Sequence, residues 1–150
     1  MGAGLRWPEV RTWGSTAEER RAAFACDRHL PRHDDALFRA VTVAAPAALL
    51  FRWLCQLRVA PYSYDWIDNF GRRSPRQLTA GLDDLRVGQP VMRIFELVEF
   101  EPERQLTLRT TPSRLFGQYA VTYAVREQDA GHCRLVVKLL VALPRISPGA

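Results

Sequence analysis

An α+β domain, with helices laid on one antiparallel sheet, is what this sequence predicts. Three observations carry the prediction. The first half holds one alternating stretch that passes at once into helical spacing. The second half holds four alternating stretches of period two. Turn signals at Glu101-Pro102-Glu103 and Gln128-Asp129-Ala130-Gly131 join these consecutive stretches, as in a meander.

The elements follow in chain order. Residues 1–35 read as an N-terminal extension ahead of a domain over 36–150. Thr16 and Glu19 fit a capping box, with Ser15 and Glu18 a second register, so a short helix over 16–24 is expected. Pro31 and clustered polar residues make CDRHLPRHDD a loop. Residues 38–45, FRAVTVAA, alternate and are rich in Val, which predicts a strand. Pro46 suits a helix start, and Leu50, Trp53, Leu54 and Leu57 then fall on one face of a helix over 46–57. Ala60-Pro61 ends it. Ser63 can cap a two-turn helix, SYDWIDNFG, that stops at Gly71. A long connection over 71–90 leads to strand candidates at 90–100, 105–110, 116–127 and 132–143.

Composition bounds the function. The 150 residues make one ordinary domain, and 47% apolar content supports a real core. The net charge is +5, yet the basic residues are spread along the chain without a block, so nucleic acid is not an expected partner. The longest nearly apolar run, residues 40–51, is far short of the ~20 residues that span a bilayer, so no membrane partner is expected either. Cys26, Cys55 and Cys133 are odd in number and widely spaced, which fits reduced thiols in a cytoplasmic protein. Cys26, His29 and His33 have metal-like spacing, but the four-ligand pattern is incomplete, so neither a metal nor a cofactor is expected. No catalytic triad or glycine-rich phosphate loop is present, and catalytic residues stay unassigned.

The stretch RAVTVAAPAALLFRWLCQLRVAPYSYDWIDNFGRRSP, followed by GLDDLRVGQPVMRIFELVEFEP, resembles the SRPBCC superfamily, the START-like, helix-grip group that includes polyketide cyclase and dehydratase relatives. The resemblance covers about residues 11–143 and is nearest to an actinobacterial subgroup, whose YSYDW and GLDDLRVGQ segments are its more specific marks. It implies a START/Bet v 1-like curved antiparallel sheet with an apolar cavity between sheet and helices. It implies a small hydrophobic, aromatic or polyketide-like ligand. Two alternatives stay open: a polyketide cyclase or dehydratase-like enzyme, and an interaction module that docks a partner protein on the open sheet. The family's long C-terminal helix has no counterpart here, because residues 144–150 hold two Pro and a Gly. Either the chain is shortened or something else covers the concave face. A second copy is the simplest cover, so a homodimer is expected.

Within this frame the candidate binding residues are Tyr62, Tyr64, Asp65, Trp66, Arg93, Phe95, Tyr119 and Tyr123. Rings at 62, 64 and 66 would line the cavity mouth, or equally pack their helix on the sheet. Asp65 would favour the helix start. Tyr119, Val121, Tyr123 and Val125 share one strand face, expected to point inward with Leu135, Val137, Leu139 and Val141. Arg93 alternates with Phe95 and would either hold an anionic group or snorkel outward.

Overall fold

The computed structural model describes residues 7–58, 84–92 and 94–145. Three short helices come first: α1 (Trp7–Thr12), α2 (Ala17–Arg21) and α3 (Cys26–His29). Then come β1 (Asp35–Val43), α4 (Ala47–Cys55) and a 3-10 turn over Gln56–Arg58. The remaining strands are β2 (Pro90–Val91), β3 (Phe95–Glu101), β4 (Gln105–Thr110), β5 (Gln118–Asp129) and β6 (His132–Ala142). They form one six-stranded sheet in the order β1-β6-β5-β4-β3-β2. Every neighbouring pair is antiparallel. A strand, a helix, then a meander whose last strand returns to the first: this is the helix-grip arrangement of an α+β fold. Among the described residues no helix follows β6.

Local chemistry explains the elements. Thr16 caps α2 as expected: its Oγ1 accepts from the Glu19 N–H at 3.1 Å, and the Thr16 N–H donates to Glu19 Oε1 at 2.8 Å. The loop predicted after it contains α3, whose entry is fixed by Asp27 Oδ2 accepting the Phe24 N–H at 3.0 Å. The single strand predicted over 90–100 is a hairpin of two. Met92 adopts φ 50 and the Ile94 N–H donates to Met92 O at 2.8 Å, so the chain reverses there. A bulge between Leu97 and Glu99 re-phases β3 and adds twist. Leu97 and Phe100 consequently pack into one cluster, while Glu99 turns to the other side.

The two faces of the sheet are covered differently. On the front, α4 buries Phe51 and Cys55 against Leu97, Leu106, Leu108 and Val121, with Leu85 and Val91 closing one side. Leu50 and Leu54 of the same helix meet Val125 and Cys133. On the back, the N-terminal segment lies across the sheet. Phe24, Cys26 and Leu30 pack on Phe38, Ala40, Ala120, Val136 and Leu140, so this segment builds a second core. The approach is close because the facing side chains are small. At Gly14 it is closest: φ is +74, and a Cβ there would lie 2.1 Å from Ala40 O. Only glycine suits that position.

Polar links fasten the segment to the back. Glu19 Oε2 accepts from Arg134 Nε at 2.9 Å, and both side chains are largely buried. The pairing holds the Glu19 carboxyl down at about 2, against an ordinary 4.5. Lys138 Nζ sits 2.7 Å from Asp27 Oδ1 and 5.4 Å from the centres of the Phe24 and Phe38 rings. The Cys26 N–H donates to Thr122 Oγ1 at 2.9 Å, and that hydroxyl meets Thr107 Oγ1 at 2.8 Å. Thr107 continues to Gln105, Gln105 to Glu99, and Glu99 binds Arg28 and His29.

Candidate functional site

The front face is the candidate site, and its geometry follows from strand register. Phe95 pairs with Thr110, whose hydroxyl accepts the Tyr119 N–H at 2.8 Å, and Tyr119 pairs with Val141. Phe95, Thr110, Tyr119 and Val141 therefore form one transverse row. Leu97, Leu108, Val121 and Leu139 form the next. Leu106, Tyr123 and Val137 form the third. Tyr119 and Tyr123 lie four residues apart on one strand, roughly 13 Å. The inward orientation expected for Tyr119, Val121, Tyr123 and Val125 matches this register, as does that of their β6 partners.

Burial separates the two faces of the same central strands. On the back, Ala120, Val136 and Leu140 are 0% exposed and Thr122 is 1%. On the front, Tyr119, Tyr123, Val137, Leu139 and Val141 are only half-buried. Val121 and Val125 of the same face are 4% and 5% exposed, so among the described residues the front is an apolar floor with a buried centre and partly exposed flanks.

Three polar groups accompany that floor. The hydroxyls of Tyr119 and Tyr123 form no hydrogen bond to the described residues. Burial pushes the Tyr123 phenol up to about 12, further still from its ionised form than an ordinary tyrosine. The third is Gln56, directly after α4 and 5% exposed. Neither its Nε2 nor its Oε1 has a hydrogen-bond partner among the described residues. Its neighbours in sequence, Cys55 and Leu57, both belong to the front cluster. Sequence reasoning passed over Gln56. Its one signal was an amide set inside the apolar run around Leu54 and Leu57.

Of the predicted binding residues, the structure places Phe95, Tyr119 and Tyr123 on this face. Tyr62, Tyr64, Asp65, Trp66 and Arg93 lie outside the described residues, as does the two-turn helix expected over 63–71. The metal-spaced trio does not converge. Cys26 Sγ lies 3.8 Å from Lys138 O, His29 Nε2 is 3.1 Å from Glu99 Oε1, and His33 Nδ1 is 3.0 Å from Leu30 O. Among the described residues no group of three or more metal-ligating side chains forms, and no helix is long and apolar enough to cross a membrane.

Neither a family model nor a curated protein matches this chain. Solved structures similar to it include a START superfamily protein from Mycobacterium smegmatis, with 18% identity over 76% of this chain and 81% of that one, at a TM-score of 0.47. A protein of Thermobifida fusca solved by NMR shares 18% identity over 72% and 74% of the two chains, at 0.46. The Zhui aromatase/cyclase of a Streptomyces species shares 15% over 75% and 70%, at 0.45.

Proposed function

We propose that the front face binds a small hydrophobic molecule, aromatic or polyketide-like, lying across the rows of Phe95, Tyr119 and Tyr123. One observation carries the reading: on the front of β5 and β6, Tyr119, Tyr123, Val137, Leu139 and Val141 stay partly exposed around the buried Val121 and Val125, whereas Ala120, Thr122, Val136 and Leu140 behind them are sealed. Pockets for small molecules are mostly apolar with a few placed polar groups. Two phenols and an amide, each without a hydrogen-bond partner among the described residues, are such groups. A phenol held protonated is a poor base, which favours binding over proton abstraction at Tyr123. Three buried cysteines, none in a disulfide, support a reducing cytoplasmic setting.

Native mass spectrometry of protein purified from its own host tests the reading, with a co-purifying small molecule as the expected result. A chain that is ligand-free under several extraction conditions, and dimeric by light scattering, would instead assign the half-open face to a second copy. Tyr123→Phe refines the test. It removes one neutral hydroxyl, so affinity for the recovered molecule should fall by roughly 2- to 12-fold, as expected for about 0.5–1.5 kcal/mol. Unchanged affinity in titration calorimetry would remove Tyr123 from the site. Turnover of the recovered molecule that disappears in the variant would move the assignment to the enzyme reading.

A further inference from the structure

We propose that the end of the sheet carrying the β4–β5 loop docks on an anionic lipid surface. Four of the exposed large apolar side chains gather at this end: Ile94 at 65%, Leu115 at 80%, Phe116 at 71% and Leu143 at 61%. Strand register brings them together. Ile94 enters β3, the β4–β5 loop joins Thr110 to Gln118, and Leu143 leaves β6 beside Gln118, which pairs with Ala142. All border the Phe95–Thr110–Tyr119–Val141 row. An apolar group of this kind marks an interaction site.

The loop satisfies several of its own backbone donors. Ser113 Oγ accepts the N–H groups of both Leu115 and Phe116 at 3.2 Å. Ser113 and Gly117 exchange backbone hydrogen bonds at 3.1 and 2.9 Å. These four N–H groups therefore have partners inside the loop and need no water, as insertion among acyl chains requires.

Charge selects the partner. Arg114 and Arg145 are exposed at this end and unpaired among the described residues. Among the described residues at this end, Asp35 pairs with Arg11 at 3.1 Å, and Asp34, whose Oδ2 accepts the Leu143 N–H at 2.7 Å, keeps its charge, so Arg114 and Arg145 leave the end net positive. Glu96 lies one residue after Phe95 and so on the back face, in register with Arg109. Two copies meeting through this end would oppose arginine to arginine, whereas anionic headgroups complement both. The absence of a long apolar run, from which no membrane partner was expected, bears on spanning and not on surface contact.

Co-sedimentation with phosphatidylglycerol–phosphatidylcholine vesicles, and with phosphatidylcholine vesicles alone, tests the inference. The full chain should partition onto the anionic vesicles at low salt and much less onto the neutral ones. Leu115→Ser/Phe116→Ser should lower that partition by about tenfold or more while keeping the wild-type melting temperature, since both side chains are solvent-exposed. Arg114→Gln/Arg145→Gln should abolish its salt sensitivity. Wild-type protein that stays in the supernatant with anionic vesicles, or a double serine variant that partitions as well as wild type, overturns the proposal. So does light scattering in which the double serine variant turns a dimer into a monomer, because the end would then be a contact between copies.

Discussion

Arg134→Ala is expected to lower the free energy of unfolding by about 3–5 kcal/mol, the loss seen when one partner of a buried ion pair is removed. Glu19 is 8% exposed, and its carboxylate accepts from both Nε and Nη2 of a single guanidinium, at 2.9 and 3.0 Å. Without Arg134 the carboxylate keeps the capping contact from the Thr16 N–H at 2.8 Å. It must then take up a proton or pull α2 away from the sheet. Urea denaturation with near-UV circular dichroism would measure the loss. Replacing both partners, Glu19→Leu with Arg134→Met, should recover most of it, because no charge is left stranded.

The same pair sets an acid limit. A carboxyl held below its unfolded value stabilises the fold fully above that value and less as pH falls through the folded one. For Glu19 the window runs from 4.5 down to about 2. Wild-type stability should fall by on the order of 3 kcal/mol across it from this group alone. Other carboxyls titrate there too, so the informative quantity is the difference between wild type and Arg134→Ala, which should shrink toward zero near pH 2. A difference constant with pH would show that the pair contributes through packing and not through charge.

The meander was legible because period-two alternation survives in three of its four strands, and the turns at Glu101–Glu103 and Gln128–Gly131 carry strong punctuation. The break in the remaining strand was not. Met92 takes a positive φ without being glycine, which no local residue preference announces. The back-face core was hidden for a different reason. Ala120, Thr122 and Ala124 read as the outward side of β5, since small and hydroxyl-bearing residues there mimic a solvated face. They are small because the N-terminal segment lies against them, and Thr122 is buried because its hydroxyl has a backbone donor at Cys26 and a partner at Thr107. The capping box at Thr16 and Glu19 was the only hint that this segment is ordered. On the front face, alternation placed Tyr119 and Tyr123 correctly but said nothing of how far they would be covered. Coverage depends on elements distant in sequence.

Gln56→Leu should move stability and binding in opposite directions. A buried amide lacking partners costs roughly 1–3 kcal/mol relative to a hydrogen-bonded or apolar one, and leucine is close enough in volume to fill its place. The ligand-free variant should therefore gain up to about that much in urea denaturation. If the amide is held in reserve for a guest's polar group, the variant should also bind the molecule recovered from the host some 5- to 100-fold more weakly. A residue that served only packing would show no change in affinity. A residue satisfied by an ordered water would show lost stability, because the water would be stranded beside a methyl group. Only the combination of a more stable fold and a weaker complex fits an amide that serves a guest's polar group and not packing. Leu57 provides the control. It is 1% exposed and follows Gln56 directly, and Leu57→Ala should lower stability by about 2–5 kcal/mol through the cavity it leaves. The neighbouring positions would then differ in the sign of their effect on the fold, which separates a polar group kept for recognition from a general sensitivity of the turn after α4.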